Sequence, residues 1–253
     1  MILAADNLTA ANPIVAEAMA RLDPKPLQDL ARRCEAAGAH LLDLNPGYLP
    51  KRRQDRMAFM VDAVQAASSL PLILDSPDAV VLARGLAACR TKPILSALTL
   101  EEHKLAEILP LAAAHDTDLV ILLLDERSFP PPTAEGKIAL AVEIRERALA
   151  EGLKDEQLIF DPVVPNLSWP DAWRQTGEVV KTVRWLAGGQ VFGEPARTMA
   201  GISNLRSGLR RQYPIEFDVL LMAMLAGAGL EVALADALRP EITEAVRFIR
   251  QMH

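Results

Sequence analysis

Five apolar runs in this chain end on a carboxylate, a carboxamide or a hydroxyl. AHLLDLN carries Asp43 and Asn45, LPLILD ends on Asp75, QLIFD on Asp161, TMAGISN on Ser203 and Asn204, and LEVALAD on Asp236. The opening residues 1–5 give way to Asp6 and Asn7 in the same manner, Ser76 follows Asp75, and KPILSAL carries Ser96 near its end. Four to eight apolar residues between turn signals read as a strand buried on both faces. A lone Asp after a strand is most often the cap of the next helix. The repetition points further, to a polar cup at one end of a parallel β structure. Its carboxylates and carboxamides suit a ligand that presents several N–H donors, because a carboxylate accepts two parallel hydrogen bonds from an amidine-like edge. A phosphate-bearing ligand would instead require Lys, Arg or a Gly-rich nest.

The elements that must position these groups follow from the same patterns. Strands are expected at residues 1–5, 39–45, 70–74, 92–98, 118–124, 157–164, 198–203 and 230–236. Helices are expected between them, at 13–21, 26–37, 54–69, 78–89, from a Thr99 cap to about 115, from a Thr133 cap to about 152, and at 171–186, 216–228 and 240–252. Pro26 suits a first helical turn and Gly38 a helix end. Eight strands alternating with helices predict a single (β/α)8 TIM barrel, one domain over residues 1–253, with its site at the C-terminal strand ends. A doubly wound open sheet is the alternative, but neither GxGxxG nor GxxxxGK[ST] follows a strand.

Composition narrows the function classes. The 253 residues are 51% hydrophobic, enough for a sizeable core, while aromatics are 4% and net charge is −6. Those values argue against a nucleic-acid binder. No apolar run reaches membrane-spanning length and no signal peptide is visible, so a cytoplasmic protein without membrane association is expected. Cys34 and Cys89 form no CxxC and read as reduced core residues. His40, His103, His115 and His253 are scattered, and no metal site is expected.

A pterin has the edge that the cup suits, a 2-amino group beside a ring nitrogen. DLNPG at 43–47, LDSPD at 74–78, FDPVVP at 160–165, GISN at 201–204 and ALAD at 233–236 resemble the pterin-binding barrels. The resemblance is nearest to the methyltetrahydrofolate:corrinoid methyltransferases, including the folate module of cobalamin-dependent methionine synthase, and runs over essentially the whole chain. It implies that Asp75 and Asp161 hydrogen-bond the pterin, that Asn204 reaches the methyl-bearing ring nitrogen as the catalytic group, and that Asp43, Asn45, Asp6, Ser96 and Ser203 line the substrate site. It also implies transfer of the N5-methyl group of methyltetrahydrofolate to a Co(I) corrinoid, or the reverse. This chain has no Asp-x-His-x-x-Gly cobalamin motif, so the corrinoid is expected on a separate partner protein, and a homodimer is expected from the family. Two departures stand out. Ala5–Thr9 replaces a usual Gly-Glu-Arg-Ile-Asn stretch, and Ser96 replaces an Asn. They leave open a pterin barrel with altered ligand or lost activity. A condensation like that of dihydropteroate synthase is a third reading. That family has Ser-Arg-Lys where Ser203-Asn204-Leu205 stands here, and an Arg at the position of Asp236.

Lys51, Arg52, Arg53, Arg206, Arg210 and Arg211 fall on loops at the expected mouth, as docking groups for a partner or an acidic substrate tail, or as solvated charge. Trp169, Trp173 and Trp185 read as packing around the sixth barrel helix, Met222 and Met224 as a buried helix face, Tyr48 as loop packing or a cover for a flat ring, and His40 as a structural group at the bottom face.

Overall fold

The computed structural model describes residues 1–210 and 213–252. Arg211, among the expected mouth cations, and His253 lie outside the described residues. Eight strands, β1 (Ile2–Thr9), β2 (Leu41–Asn45), β3 (Leu72–Asp75), β4 (Ile94–Leu98), β5 (Asp118–Leu122), β6 (Leu158–Asp161), β7 (Arg197–Gly201) and β8 (Val232–Ala235), close into a barrel in sequence order. Every neighbouring pair is parallel, including β8 against β1. The helices are α1 (Pro13–Arg21), α2 (Pro24–Ala36), α3 (Arg56–Gln65), α4 (Ala79–Ala88), α5 (Glu102–Ala114), α6 (Ala134–Ala150), α7 (Ala172–Ala187), α8 (Glu216–Gly227) and α9 (Pro240–Met252). The fold is the expected (β/α)8 barrel.

Alternation along each strand divides the apolar residues into two cores. Ala4, Leu41, Ile73, Ile94, Val120, Ile159, Met199 and Val232 fill the barrel interior. Their neighbours, among them Leu3, Leu42, Leu74, Leu95, Phe160 and Ala200, face the helices. Because successive side chains alternate, the residues two beyond the interior layer also point inward. Those are Asp6, Asp43, Asp75, Ser96, Asp161 and Gly201, with Leu122 and Leu234 as the apolar members of the layer. The apolar floor and polar cup are consecutive layers of one barrel.

Local details differ from the sequence expectation. Asp78 caps α4 through Val80 N at 2.8 Å, and Thr133 caps α6 through Gly136 N at 3.2 Å. Thr99, however, is not the cap of α5. Its hydroxyl pairs with the Glu101 carboxylate at 3.0 Å, and Glu101 takes the cap position. The third helix is shorter than residues 54–69, because its chain tightens into a separate 3-10 turn at Lys51–Arg53 and stops at Gln65. The seventh strand ends at Gly201, so Ser203 and Asn204 stand on a 3-10 turn, Ile202–Leu205, anchored by the buried Ile202 and Leu205. Met222 is buried, but Met224 is 50% exposed, since two positions on a helix lie about 200° apart. Trp173 is likewise exposed and meets Phe217 of α8 at 5.5 Å between ring centroids. Tyr48, 89% exposed, is not packed into its loop. His40 accepts from Leu3 N at 3.2 Å and contacts Arg250 at the bottom face, a structural position as expected. Among the described residues no helix is long and apolar enough to cross a membrane.

Candidate active site

The cup is built from strand ends. Asp43 and Asn45 come from β2, Asp75 from β3, Ser96 from β4 and Asp161 from β6, with Asp6 inside the long β1. Asn45 Nδ2 donates to Asp75 Oδ2 at 2.7 Å, while Asn45 Oδ1 accepts from Gly47 N at 2.9 Å and is thereby oriented. Ser96 is the register partner of Asp75 and hydrogen-bonds its carboxylate. Ser203 does the same for Asp6. Asp161 Oδ1 accepts from Val163 N at 2.7 Å, and the Gly201 backbone also hydrogen-bonds the carboxylate.

Grouping carboxyls in an apolar barrel has a predictable electrostatic result. Burial disfavours the charged form, and neighbouring carboxylates add repulsion. Burial, then Asp75 and then Asp6 push Asp43 well above the ordinary carboxyl range. Burial lifts Asp75 to about 6 against the opposing hydrogen bonds from Asn45 and Ser96. Burial lifts Asp6 to about 6 and Asp161 to about 7. Asp43 Oδ1 is buried with no hydrogen-bond partner. A buried carboxyl oxygen without a partner is costly, and a ligand N–H directed into the cup would relieve it.

Asn204 stands above this floor. Its backbone carbonyl accepts from Asn166 Nδ2 at 2.9 Å, tying the turn after β7 to the loop after β6. Its side chain folds back over Gly201, where an added Cβ would lie 2.7 Å from Asn204 Nδ2. The Gly-Ile-Ser-Asn sequence thus has a steric reason, because the glycine leaves room for the carboxamide. A cavity of about 640 Å³ opens beside Asn204, lined also by Val163, Asn166, Trp169 and Arg210.

The other expected mouth residues take different roles. Asn7 and Asp236 pair with each other rather than pointing freely into the cup. Asn7 Nδ2 donates to Asp236 Oδ1 at 2.5 Å and latches β1 to the end of β8. Ser76 is buried and accepts from Asp78 N at 3.2 Å, so it shapes the start of α4. Arg206 is neither a docking group nor solvated charge. Its guanidinium grips the buried Asp218 at 2.7 and 2.6 Å and donates to Tyr213 O at 2.9 Å. Lys51, Arg52, Arg53 and Arg210 remain exposed. Among the described residues no group of three or more His, Cys, Asp or Glu is placed to hold a metal ion.

One group beside the cup was not read from the sequence. Lys137 of α6 is 2% exposed and its Nζ donates to Pro162 O at 2.7 Å. The signal was present, since 137, 140, 141, 144 and 148 form the apolar stripe of that helix.

Residues 7–231 match the model of the family described as pterin binding enzyme. The chain is 25% identical over 248 residues to the methylcorrinoid:tetrahydrofolate methyltransferase of Eubacterium limosum, covering 97% of this chain and 89% of that protein. It is 26% identical over 233 residues to methionine synthase of Mycobacterium tuberculosis, covering 87% of this chain but 19% of that much longer protein. Among solved structures, dihydropteroate synthase from Xanthomonas albilineans in complex with 7,8-dihydropteroate superposes with a TM-score of 0.70 at 17% identity, over 99% of this chain and 93% of that one. The Yersinia pestis dihydropteroate synthase with a sulfonamide drug gives 0.70 at 15% identity. At those identities the structural likeness speaks for the fold alone. With the family match spanning most of the barrel, this chain belongs to the pterin binding enzyme family.

Proposed function

We propose that the cup takes the pterin ring of a tetrahydrofolate, and that the chain moves a methyl group between N5 of that ring and the cobalt of a corrinoid held by a separate protein. The observation that carries this reading is the facing pair Asp75 and Asp161, lifted to about 6 and about 7 in a cup whose buried Asp43 Oδ1 lacks a partner. Ligand N–H groups directed at these oxygens would favour the ionised carboxylates and return their pKa values downward. The methyltransferase relative, matched along nearly its whole length, supports the same assignment.

In the direction of that relative's name, the N5 lone pair attacks the methyl carbon. The cobalt–carbon bond breaks with its electron pair left on cobalt, and the N5 proton departs. In the reverse direction N5 must gain a proton or a strong hydrogen bond, because an amine anion is a very poor leaving group. The chain's own contribution is positioning and hydrogen bonding. Asp75 and Asp161 hold the ring edge, Asn45 and Ser96 hold Asp75, and Asn204 supplies a neutral carboxamide. That carboxamide can re-pair as N5 changes protonation without placing a fixed charge against a cationic nitrogen.

The diphosphate chemistry of a dihydropteroate synthase finds less support here. The cation that follows the Gly-Ile-Ser-Asn turn, Arg206, is engaged by Asp218, and Asp236 rather than an Arg ends β8.

The test is calorimetric titration of the purified chain with methyltetrahydrofolate. Saturable one-site binding that disappears in Asp75→Ala is the expected result. No binding at millimolar ligand would overturn the assignment. With binding in hand, methyl transfer to free Co(I) cobalamin, followed by the cobalt absorption bands, separates a transferase from a barrel that only binds.

A further inference from the structure

We propose that Lys137 is a positioning residue for Asp161 and acts through one peptide group. Lys137 Nζ donates to the carbonyl of Pro162 at 2.7 Å, and the N–H of that same peptide, on Val163, donates to Asp161 Oδ1 at 2.7 Å. The inference rests on the reading of Asp161 as a ring-binding carboxylate.

Three observations converge. First, Lys137 is 2% exposed, and a lysine is almost never buried unless something compensates its charge. The charged groups that face it are Asp161 and Glu178 of α7. Glu178 also accepts from Ala134 N at 2.8 Å and is thereby fixed. Second, Val163 sits at φ 61°, in the left-handed region. A β-branched residue is rarely found there, and the conformation persists only where its surroundings enforce it. Lys137 on one side of the Pro162–Val163 peptide and Asp161 on the other supply that enforcement. Third, a donor on a peptide carbonyl polarises the peptide and strengthens what its N–H donates.

Lys137 therefore does two things for Asp161. It holds the Val163 N–H in line with Oδ1, and it places a positive charge behind a carboxylate that otherwise faces Asp75 across the cup. Both favour the ionised form, which accepts N–H donors from a ring. Burial in turn lowers Lys137 to about 8, with Asp161 and Glu178 opposing the fall.

The pH profile of methyltetrahydrofolate affinity tests this, measured by calorimetry in the parent, Lys137→Met and Lys137→Arg. In the parent, affinity is expected to fall as pH drops through the Asp161 midpoint. Lys137→Met should move that midpoint up by about one pH unit, weakening binding about fivefold at neutrality, roughly tenfold a unit lower, and little at high pH. Lys137→Arg, which keeps the charge, should keep the parent midpoint. A uniform loss of affinity with an unmoved midpoint would mean that Lys137 only supports packing, and would overturn the proposal.

A second measurement needs neither ligand nor a lysine variant. In protein labelled with 13C at the lysine ε carbon, the buried lysine should titrate lower in Asp161→Asn than in the parent, and its titration should move the Val163 amide resonance. An unmoved lysine midpoint in folded Asp161→Asn would overturn the proposal. This arm also stands if the parent binds no methyltetrahydrofolate, a result that would sink the proposed function alone.

Discussion

Asn45 Nδ2 donates to Asp75 Oδ2 at 2.7 Å, and that bond joins the ends of two adjacent strands one layer above the buried Asp43. The pair fixes one oxygen of Asp75 and leaves the carboxylate aimed across the cup. Asn45 is itself held by Gly47 N, so the orientation is relayed from the loop after β2. Removing Asp75 deletes an acceptor. Removing Asn45 leaves the acceptor but frees its rotamer and removes a hydrogen bond that lowers its pKa.

The two substitutions should therefore differ in kind. Asp75→Ala is expected to cost about 2–3 kcal/mol of methyltetrahydrofolate affinity, the worth of hydrogen bonds to a charged group. Asn45→Ala should cost about 1 kcal/mol and shift the pH dependence of binding upward. Titrations between pH 5.5 and 8 distinguish them, and equal losses at every pH would contradict the relay.

Asn204→Ala should slow methyl transfer roughly a hundredfold, by loss of an oriented group at the reacting nitrogen, while weakening binding far less. Gly201→Ala offers an independent route to the same defect. A Cβ there would lie 2.7 Å from Asn204 Nδ2 and would displace the carboxamide. Single-turnover rates should fall comparably in both variants, and the double variant should be little worse than either. Additive losses would separate the two residues.

The cup carboxyls also predict how the ligand-free chain responds to pH. Asp6 and Asp75 stand at about 6 and Asp161 at about 7, against an ordinary value of 3.8. Between those limits the folded chain binds more protons than the unfolded chain. This contribution to stability is fully present below about pH 4 and is lost as pH rises through 6 to 7. His40, lowered chiefly by burial and then by Arg250, works in the opposite direction over part of that window, but as one group against four, since Asp43 is raised as well. Tm should be higher at pH 5 than at pH 8, and Asp161→Asn should flatten the difference. A Tm that climbs steadily from pH 5 to 8 would show that the cup is ionised in the free chain.

Arg206 gives a stability prediction with no role in binding attached. Its fork holds Asp218, which is 4% exposed. Arg206→Ala leaves that carboxylate buried and unpaired, at an expected cost of about 3 kcal/mol in urea unfolding. Arg206→Ala together with Asp218→Ala should recover part of the loss. A single variant as stable as the parent, with weakened ligand binding, would return Arg206 to the mouth.

How much of this was legible in the sequence depends on the range of the interaction involved. Each run such as LPLILD or QLIFD carries its own strand signal and its own terminal carboxylate, because hydrophobic alternation and turn residues act within a few positions. Eight such runs alternating with helices identified the barrel, and the strand ends marked the cup. The strands are apolar on both faces, however, so period-2 patterning could not say which residues point inward. Only closure, with β8 pairing β1 in parallel, put Asp6, Asp43, Asp75 and Asp161 on one inner surface. The burial that lifts their pKa values, and the repulsion that adds to it at Asp6, Asp43 and Asp161, exist only there. The same holds for contacts between distant segments. Asn7 latches Asp236 across 229 positions, and Lys137 meets the turn after β6 from a helix 25 residues earlier. In the sequence, Lys137 falls on the apolar stripe of its helix and Arg206 in an Arg-rich loop, and neither shows its partner. The tertiary structure decided that one is buried behind Asp161 and the other committed to Asp218, because long side chains take their partners from whatever the packed elements bring within reach.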